Sequence, residues 1–199
     1  MLALSRRSLL AGSAVAASPL AAWGALAATP SGVMVMAKQI DDIVSFDPAE
    51  SFEFTNAEVN ANCYGRLVRP DPKDTNKVAP DLAERWEVSA DGKNFVFHLR
   101  RTAKFATGKV LTAEDVEFSL RRAITLNKTP GFILTQLGFN KDNVEASIRA
   151  TGPATLAMTL PTVQATSFVL FCLSATIGSV VEKAVVMAHN ENGIWAMPG

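Results

Sequence analysis

Between Val78 and Leu120 the hydrophobic spacing switches from a repeat of two to a repeat of about 3.6, with turn and capping residues at the change. Phe95, Phe97 and Leu99 alternate with Asn94, Val96, His98 and Arg100, so Asn94 to Arg100 reads as a strand with one apolar face. Asp91 and Gly92 form a tight turn that folds this strand back on a preceding one through Trp86 and Val88. Beyond it, Thr112 is placed to cap a helix, and Asp115 three residues later reciprocates. Val116, Leu120 and Ile124 supply the buried stripe of that helix, and Arg121 and Arg122 suit its C-terminal end. Hairpin and helix each carry one apolar face, and two such faces bury each other in a mixed α/β domain.

The flanking segments extend the pattern. Val33 to Ala37 reads as a short apolar strand leading to Ser45, Phe46, Asp47 and Pro48, where the proline forces a change of direction. From Asn56 the spacing is helical, with Val59, Cys63 and Leu67 on one face and Asn56 as cap. Asp71, Pro72, Lys73, Asp74 and Asn76 make a polar turn. A second hairpin runs from Val144 to Ala150, through Gly152 and Pro153, to a strand whose Leu156, Met158 and Leu160 share a face. Pro161 closes it, and Thr166 to Val181 reads as a strongly apolar helix that needs cover on most sides.

The N-terminus fixes a compartment. Arg6 and Arg7 precede an uncharged apolar run from Leu9 to Ala22 and a small-residue site at Ala25 to Ala27, so residues 1–27 read as a signal peptide. Ser5, Arg6, Arg7, Ser8, Leu9 and Leu10 resemble the twin-arginine export motif, and an ordinary general-secretion leader is the alternative. Either route leads to the periplasm. Gly12, Ser13, Ser18 and Pro19 interrupt the run below the ~20 apolar residues a bilayer span needs. The whole chain has 19 basic and 19 acidic residues; without Arg6 and Arg7 the balance is slightly acidic, which argues against a nucleic-acid partner. Cys63 and Cys172 match no metal-ligand spacing and read as two buried thiols, with a disulfide as the alternative. His98 and His189 have no ligand partners at metal spacing, so neither metal nor cofactor is expected.

Pro80, Leu82, Ala83, Trp86, Val88, Ser89, Asp91, Gly92, Phe97, Leu99 and Arg100, followed by Leu111 to Val116, resemble a signature of peptide-type (family 5) extracytoplasmic solute-binding proteins of ABC importers. Ser45 to Pro48 fit the opening loop of that family, and Tyr64, Gly65, Arg66, Leu67 and Val68 fit a helix exit. The resemblance implies the N-terminal portion of a two-lobed periplasmic-binding-protein type II fold, here truncated, because family members are more than twice as long. It implies a start of the first lobe at 28–55, a small mixed domain at 56–181 and a tail at 182–199 that runs toward the first lobe. The missing lobe would leave apolar surface uncovered on the Thr166 to Val181 helix.

The resemblance also implies a function: binding of di- or oligopeptides, or a related solute such as nickel, haem or glutathione, and delivery to a membrane permease. The loop after the first strand contributes to the family's ligand cleft, which places Phe52, Glu53, Phe54 and Thr55 as candidate ligand-binding residues. Phe52 and Phe54 would give apolar walls, Glu53 would face a cationic group, and backbone amides near Thr55 would pair with a peptide backbone. A surface loop pinned by its aromatics is the alternative. Glu114, Asp115 and Trp86 read as structural. A truncated product without ligand binding is a second functional reading and an exported enzyme a third. The third lacks chemistry: no phosphate loop, nucleophile elbow or metal spacing occurs in the sequence.

Overall fold

The computed structural model describes residues 30–189, and the leader expected over 1–27 lies outside them. The chain divides into two units, residues 1–39 and 40–199. In the described part of the first, a turn joins the Val33 N–H to the Pro30 carbonyl at 3.1 Å, with Gly32 at φ +87°. The strand expected over Val33 to Ala37 does not form, and Val33 to Met36 are exposed. An extended segment becomes a strand only when a neighbour takes its backbone hydrogen bonds, and none among the described residues does so.

The second unit begins with helix α1 (Phe54–Cys63). Strands β1 (Val68–Pro70) and β2 (Val78–Pro80) pair antiparallel around the polar turn, where Asp71 Oδ1 accepts the Lys73 N–H and Asp74 Oδ1 the Asn76 N–H. Strands β3 (Ala83–Val88) and β4 (Asn94–Leu99) follow as the expected hairpin, with Gly92 at φ +71° in its turn. Helix α2 (Ala113–Leu126) comes next, then the short helices α3 (Phe132–Thr135) and α4 (Val144–Ser147). Strands β5 (Ile148–Gly152) and β6 (Thr155–Thr159), helix α5 (Thr166–Ser174) and helix α6 (Lys183–Ala188) complete it.

The main sheet is four-stranded and antiparallel in the order β3-β4-β6-β5. Phe97 faces Trp86 on one side and Leu156 on the other, and Phe95 faces Val88 and Met158, so the alternating residues of both hairpins meet on one face. That face packs beneath α2, whose Val116, Leu120 and Ile124 are buried as their spacing requires. Trp86 lies against this core. The α2 N-terminus is fixed from two directions: Thr112 donates its N–H and its hydroxyl to Asp115 Oδ2, at 3.1 and 2.8 Å, and the Ala113 N–H reaches the Pro153 carbonyl in the second hairpin.

Two further expected elements differ. The segment from Val144 starts as helix rather than strand, because Asn140 and Asn143 each accept the other's backbone N–H on a side-chain oxygen, a local closure that competes with sheet pairing. The apolar helix ends at Ser174, not Val181; a 3-10 turn (Thr176–Gly178) follows, and Ser179 bridges Arg66 in extended form. The apolar surface expected to be uncovered there narrows to Phe168, which is 40% exposed, and the half-buried Phe171, while Val169, Leu170, Cys172 and Leu173 are buried within the unit. Cys172 is buried and Cys63 exposed, both as free thiols, so the expectation of two buried thiols holds only for Cys172. Among the described residues, no helix is long and apolar enough to cross a membrane.

Candidate functional site

The loop from Ser45 to Glu53 is built from the inside. Asp47 is 2% exposed, and its backbone carbonyl accepts the N–H groups of Glu50 and Ser51 while Oδ1 accepts that of Ala49 at 2.9 Å. Such an Asx turn is the local closure that Asp-Pro invites. The carboxylate is held from α2: Arg122 Nη1 donates to Oδ1 at 2.9 Å and Nη2 to Oδ2, with Arg122 only 1% exposed. A planar fork on both oxygens fixes orientation as well as distance.

Helix α1 clamps the other side of the loop. It starts at Phe54 with Glu53 as N-cap residue, three positions before the expected cap Asn56, which lies inside the helix. Its buried residues are Thr55, Asn56 and Asn60, not the expected apolar row: Val59 is half-buried, Cys63 is exposed, and Leu67 lies beyond the helix end. Asn56 Nδ2 donates to the Ser45 carbonyl and, at 3.2 Å, to Glu53 Oε2, and Asn60 Nδ2 donates to Ser51 Oγ at 2.8 Å. The helix meets a carbonyl, a carboxylate and a hydroxyl of the loop, so amide side chains fit there where methyl groups would leave those acceptors dry.

The four candidate residues separate on this frame. Phe52 and Phe54 are exposed, Phe54 at 92%. Glu53 is turned back on its own loop, where Oε2 also accepts the Phe52 N–H at 3.0 Å. Thr55 is buried in the first turn of α1 and is not brought to the surface with the phenylalanines. A residue outside the candidate set joins them: Phe132, at the start of α3, meets Phe52 edge to face at 5.5 Å and 80°. Both rings stay about half exposed, so the pair forms a partly open aromatic surface rather than core. No local pattern marks Phe132. Arg122, expected to suit the helix C-terminal end, instead shares a buried face with Asp115 and Ser119, and nothing local marks its partnership with Asp47.

Glu114 is exposed, and Asp115 is wholly structural, with Lys109 Nζ and the Lys183 N–H on its Oδ1 at 3.0 and 3.2 Å. Burial alone would push the Asp115 carboxyl up, but the hydrogen bonds from Thr112 and Lys109 outweigh it and hold the group below its ordinary range. His98 Nε2 lies 3.0 Å from Glu87 Oε1 on the hairpin surface. Among the described residues, no group of three or more His, Cys, Asp or Glu side chains is arranged to hold a metal ion.

The family model for bacterial extracellular solute-binding proteins, family 5 middle, matches residues 77–196, which covers the paired hairpins and α2. The chain belongs to this family. The probable D,D-dipeptide-binding periplasmic protein DdpA of Escherichia coli K12 is 32% identical over 82% of this chain and 30% of its own length. The periplasmic oligopeptide-binding protein OppA of the same organism is 26% identical over 98% of this chain and 38% of its length. In three dimensions the fold is similar to the E. coli murein tripeptide binding protein MppA, with a TM-score of 0.62 and 26% identity over 72% of this chain and 30% of that one. The mixed α/β fold is therefore a portion of the two-lobed architecture, and the chain spans about 30% of the length of DdpA.

Proposed function

We propose that this chain is the solute-binding component of an ATP-driven importer for di- or oligopeptides or a related solute, working in the periplasm, and that the segment from Phe52 to Thr55, which leads into α1, forms one wall of the cleft with Phe132. The observation that carries this reading is the exposed aromatic pair of Phe52, on a loop whose backbone is fixed from inside by Asp47 and Arg122, and Phe132 at the start of α3. A rigid loop that displays aromatic rings offers apolar contact at little ordering cost. Relatives named for peptides support the solute class, and the periplasmic names of DdpA and OppA support the compartment. No bond in the solute is broken on this reading; binding favours a closed cleft by its difference in affinity for closed and open forms, and a permease takes up the closed form.

Of the two contributions expected from Glu53 and the segment at Thr55, the Glu53 carboxylate is bonded within its own loop, and the backbone amides near Thr55 remain part of the proposed wall. The wall is proposed to act through the rings of Phe52, Phe54 and Phe132 and the backbone between them. Amide chemical shifts of the labelled protein, followed during titration with Ala-Phe-Ala, test this placement. The expected result is perturbation concentrated at residues 50–55 and 131–133. Perturbations that saturate elsewhere and spare these residues would overturn the assignment of the wall.

A further inference from the structure

A second concave site lies at the C-terminal end of α1. Cys63, Tyr64 and Gly65, the turn from Lys104 to Thr107, and Val180, Val181, Glu182 and Val185 line a cavity of about 250 Å³, with Leu82 and Leu111 in its walls. Its origin is a mismatch between two apolar clusters. Tyr64 packs with Phe118, Val181 and Val186 in a small cluster of its own, whereas Leu82, Phe105 and Leu111 belong to the main core. The two meet here without interdigitating.

Polar bonds keep the space open. The Phe105 N–H reaches the Lys109 carbonyl and the Gly108 N–H the Phe105 carbonyl, both at 2.9 Å, so the turn is closed on itself. Thr107 Oγ1 then donates to Glu182 Oε2 at 2.6 Å, which ties the turn to the start of α6. A turn held at both ends cannot collapse into the cavity without losing these bonds.

The charges at the rim are unequal in their commitments. Glu182 accepts from Thr107, and Lys109 is drawn to Asp115 at 3.0 Å. Lys104 lines the cavity and has no ion-pair partner among the described residues. Burial, with the Asp47 carboxylate adding to it, pushes the Tyr64 phenol up, so the hydroxyl stays protonated and able to donate. The Glu182 carboxylate keeps its charge while it accepts from Thr107, so recognition of an anion rests on Lys104: an apolar chamber with an unpaired ammonium in its lining is complementary to the carboxylate of an amphipathic anion.

We infer that this cavity binds a small amphipathic carboxylate, its apolar body among Tyr64, Leu82, Phe105, Leu111, Val181 and Val185 and its carboxylate against Lys104. The volume lies under the ~300–1,000 Å³ of sites for drug-sized ligands, which limits the occupant to about one ring and a short tail. This site is separate from the proposed solute wall and does not depend on it.

Cys63 is the built-in reporter: it lines the cavity and is exposed, whereas Cys172 is buried. The experiment follows the rate of Cys63 alkylation by N-ethylmaleimide in the full chain with 4-phenylbutyrate, 4-phenyl-1-butanol or 4-phenylbutylamine. The expected result is protection by the carboxylate, less by the alcohol and least by the amine. Lys104→Met, on an exposed side chain, is expected to raise the carboxylate concentration for half-protection by about tenfold, the scale of one charge-assisted contact, with the melting temperature unchanged. Val185→Phe, which narrows the cavity from its half-buried side, is expected to abolish protection by all three. Equal protection by the three compounds, no protection at millimolar concentration, or carboxylate protection undiminished in Lys104→Met would each overturn the inference.

Discussion

Arg122 holds Asp47 through both guanidinium nitrogens across 75 residues of sequence, and both side chains are almost wholly withdrawn from water. The pair joins the middle of α2 to the turn that opens the candidate ligand loop. Breaking one side of such a pair strands a buried charge, at a cost of about 3–5 kcal/mol. Arg122→Met is therefore expected to lower the urea midpoint strongly, and Arg122→Lys to recover only part of the loss because an ammonium cannot grip both oxygens. In a double-mutant cycle, Asp47→Asn combined with Arg122→Met should cost clearly less than the sum of the two. Additive losses would show that the two residues act independently.

Asp115 makes the stability of the α2 start pH-dependent. Its folded pKa lies below its unfolded value, so the stabilisation is complete above the unfolded carboxyl range near pH 4 and is lost as pH falls through the folded value. Asp115→Asn should lower stability at pH 7 and flatten the acid limb of the stability profile. Thr112→Ala should cost about 1 kcal/mol at pH 7. Urea unfolding between pH 3 and pH 7 measures both, and a variant profile parallel to that of the parent would refute the assignment.

Gly178 ends the 3-10 turn where the chain leaves α5. A Cβ there would collide with the Leu173 carbonyl oxygen, which is backbone and cannot rotate away. Gly178→Ala should destabilise by about 1–3 kcal/mol through that overpacking, although Ala is the better helix former. Thermal unfolding checks the sign, and an unchanged or raised melting temperature would contradict the account.

The elements legible in the sequence are those whose partners lie close by or whose caps are local. β4 showed itself by alternation, and α2 by Thr112, Asp115 and its apolar stripe. The buried face of α1 was illegible for a physical reason: Asn56 and Asn60 satisfy the loop from Ser45 to Ser51, so its inward side is polar and the Val59-Cys63-Leu67 spacing points elsewhere. Phe52 and Phe54 were visible as candidate wall aromatics, although Phe54 opens α1 rather than lying in a loop. Phe132 was not, because its contact with Phe52 crosses 80 positions of sequence. The same distance hid Asp47 and Arg122, whose pairing is a property of the assembled fold rather than of either segment.

The central claim is that the Phe52–Phe132 surface contacts a solute. Calorimetric titration of Ala-Phe-Ala into the purified protein, with the Phe52→Ala, Phe132→Ala double variant beside it, tests it most directly. The account predicts saturable binding by the parent and at least a tenfold weaker constant for the variant, on the scale of about 1.4 kcal/mol for a lost aromatic contact, with little change in melting temperature because both rings are half exposed. Saturable binding that is equally tight in the variant, or no binding of this or any other short peptide by the parent, would contradict it.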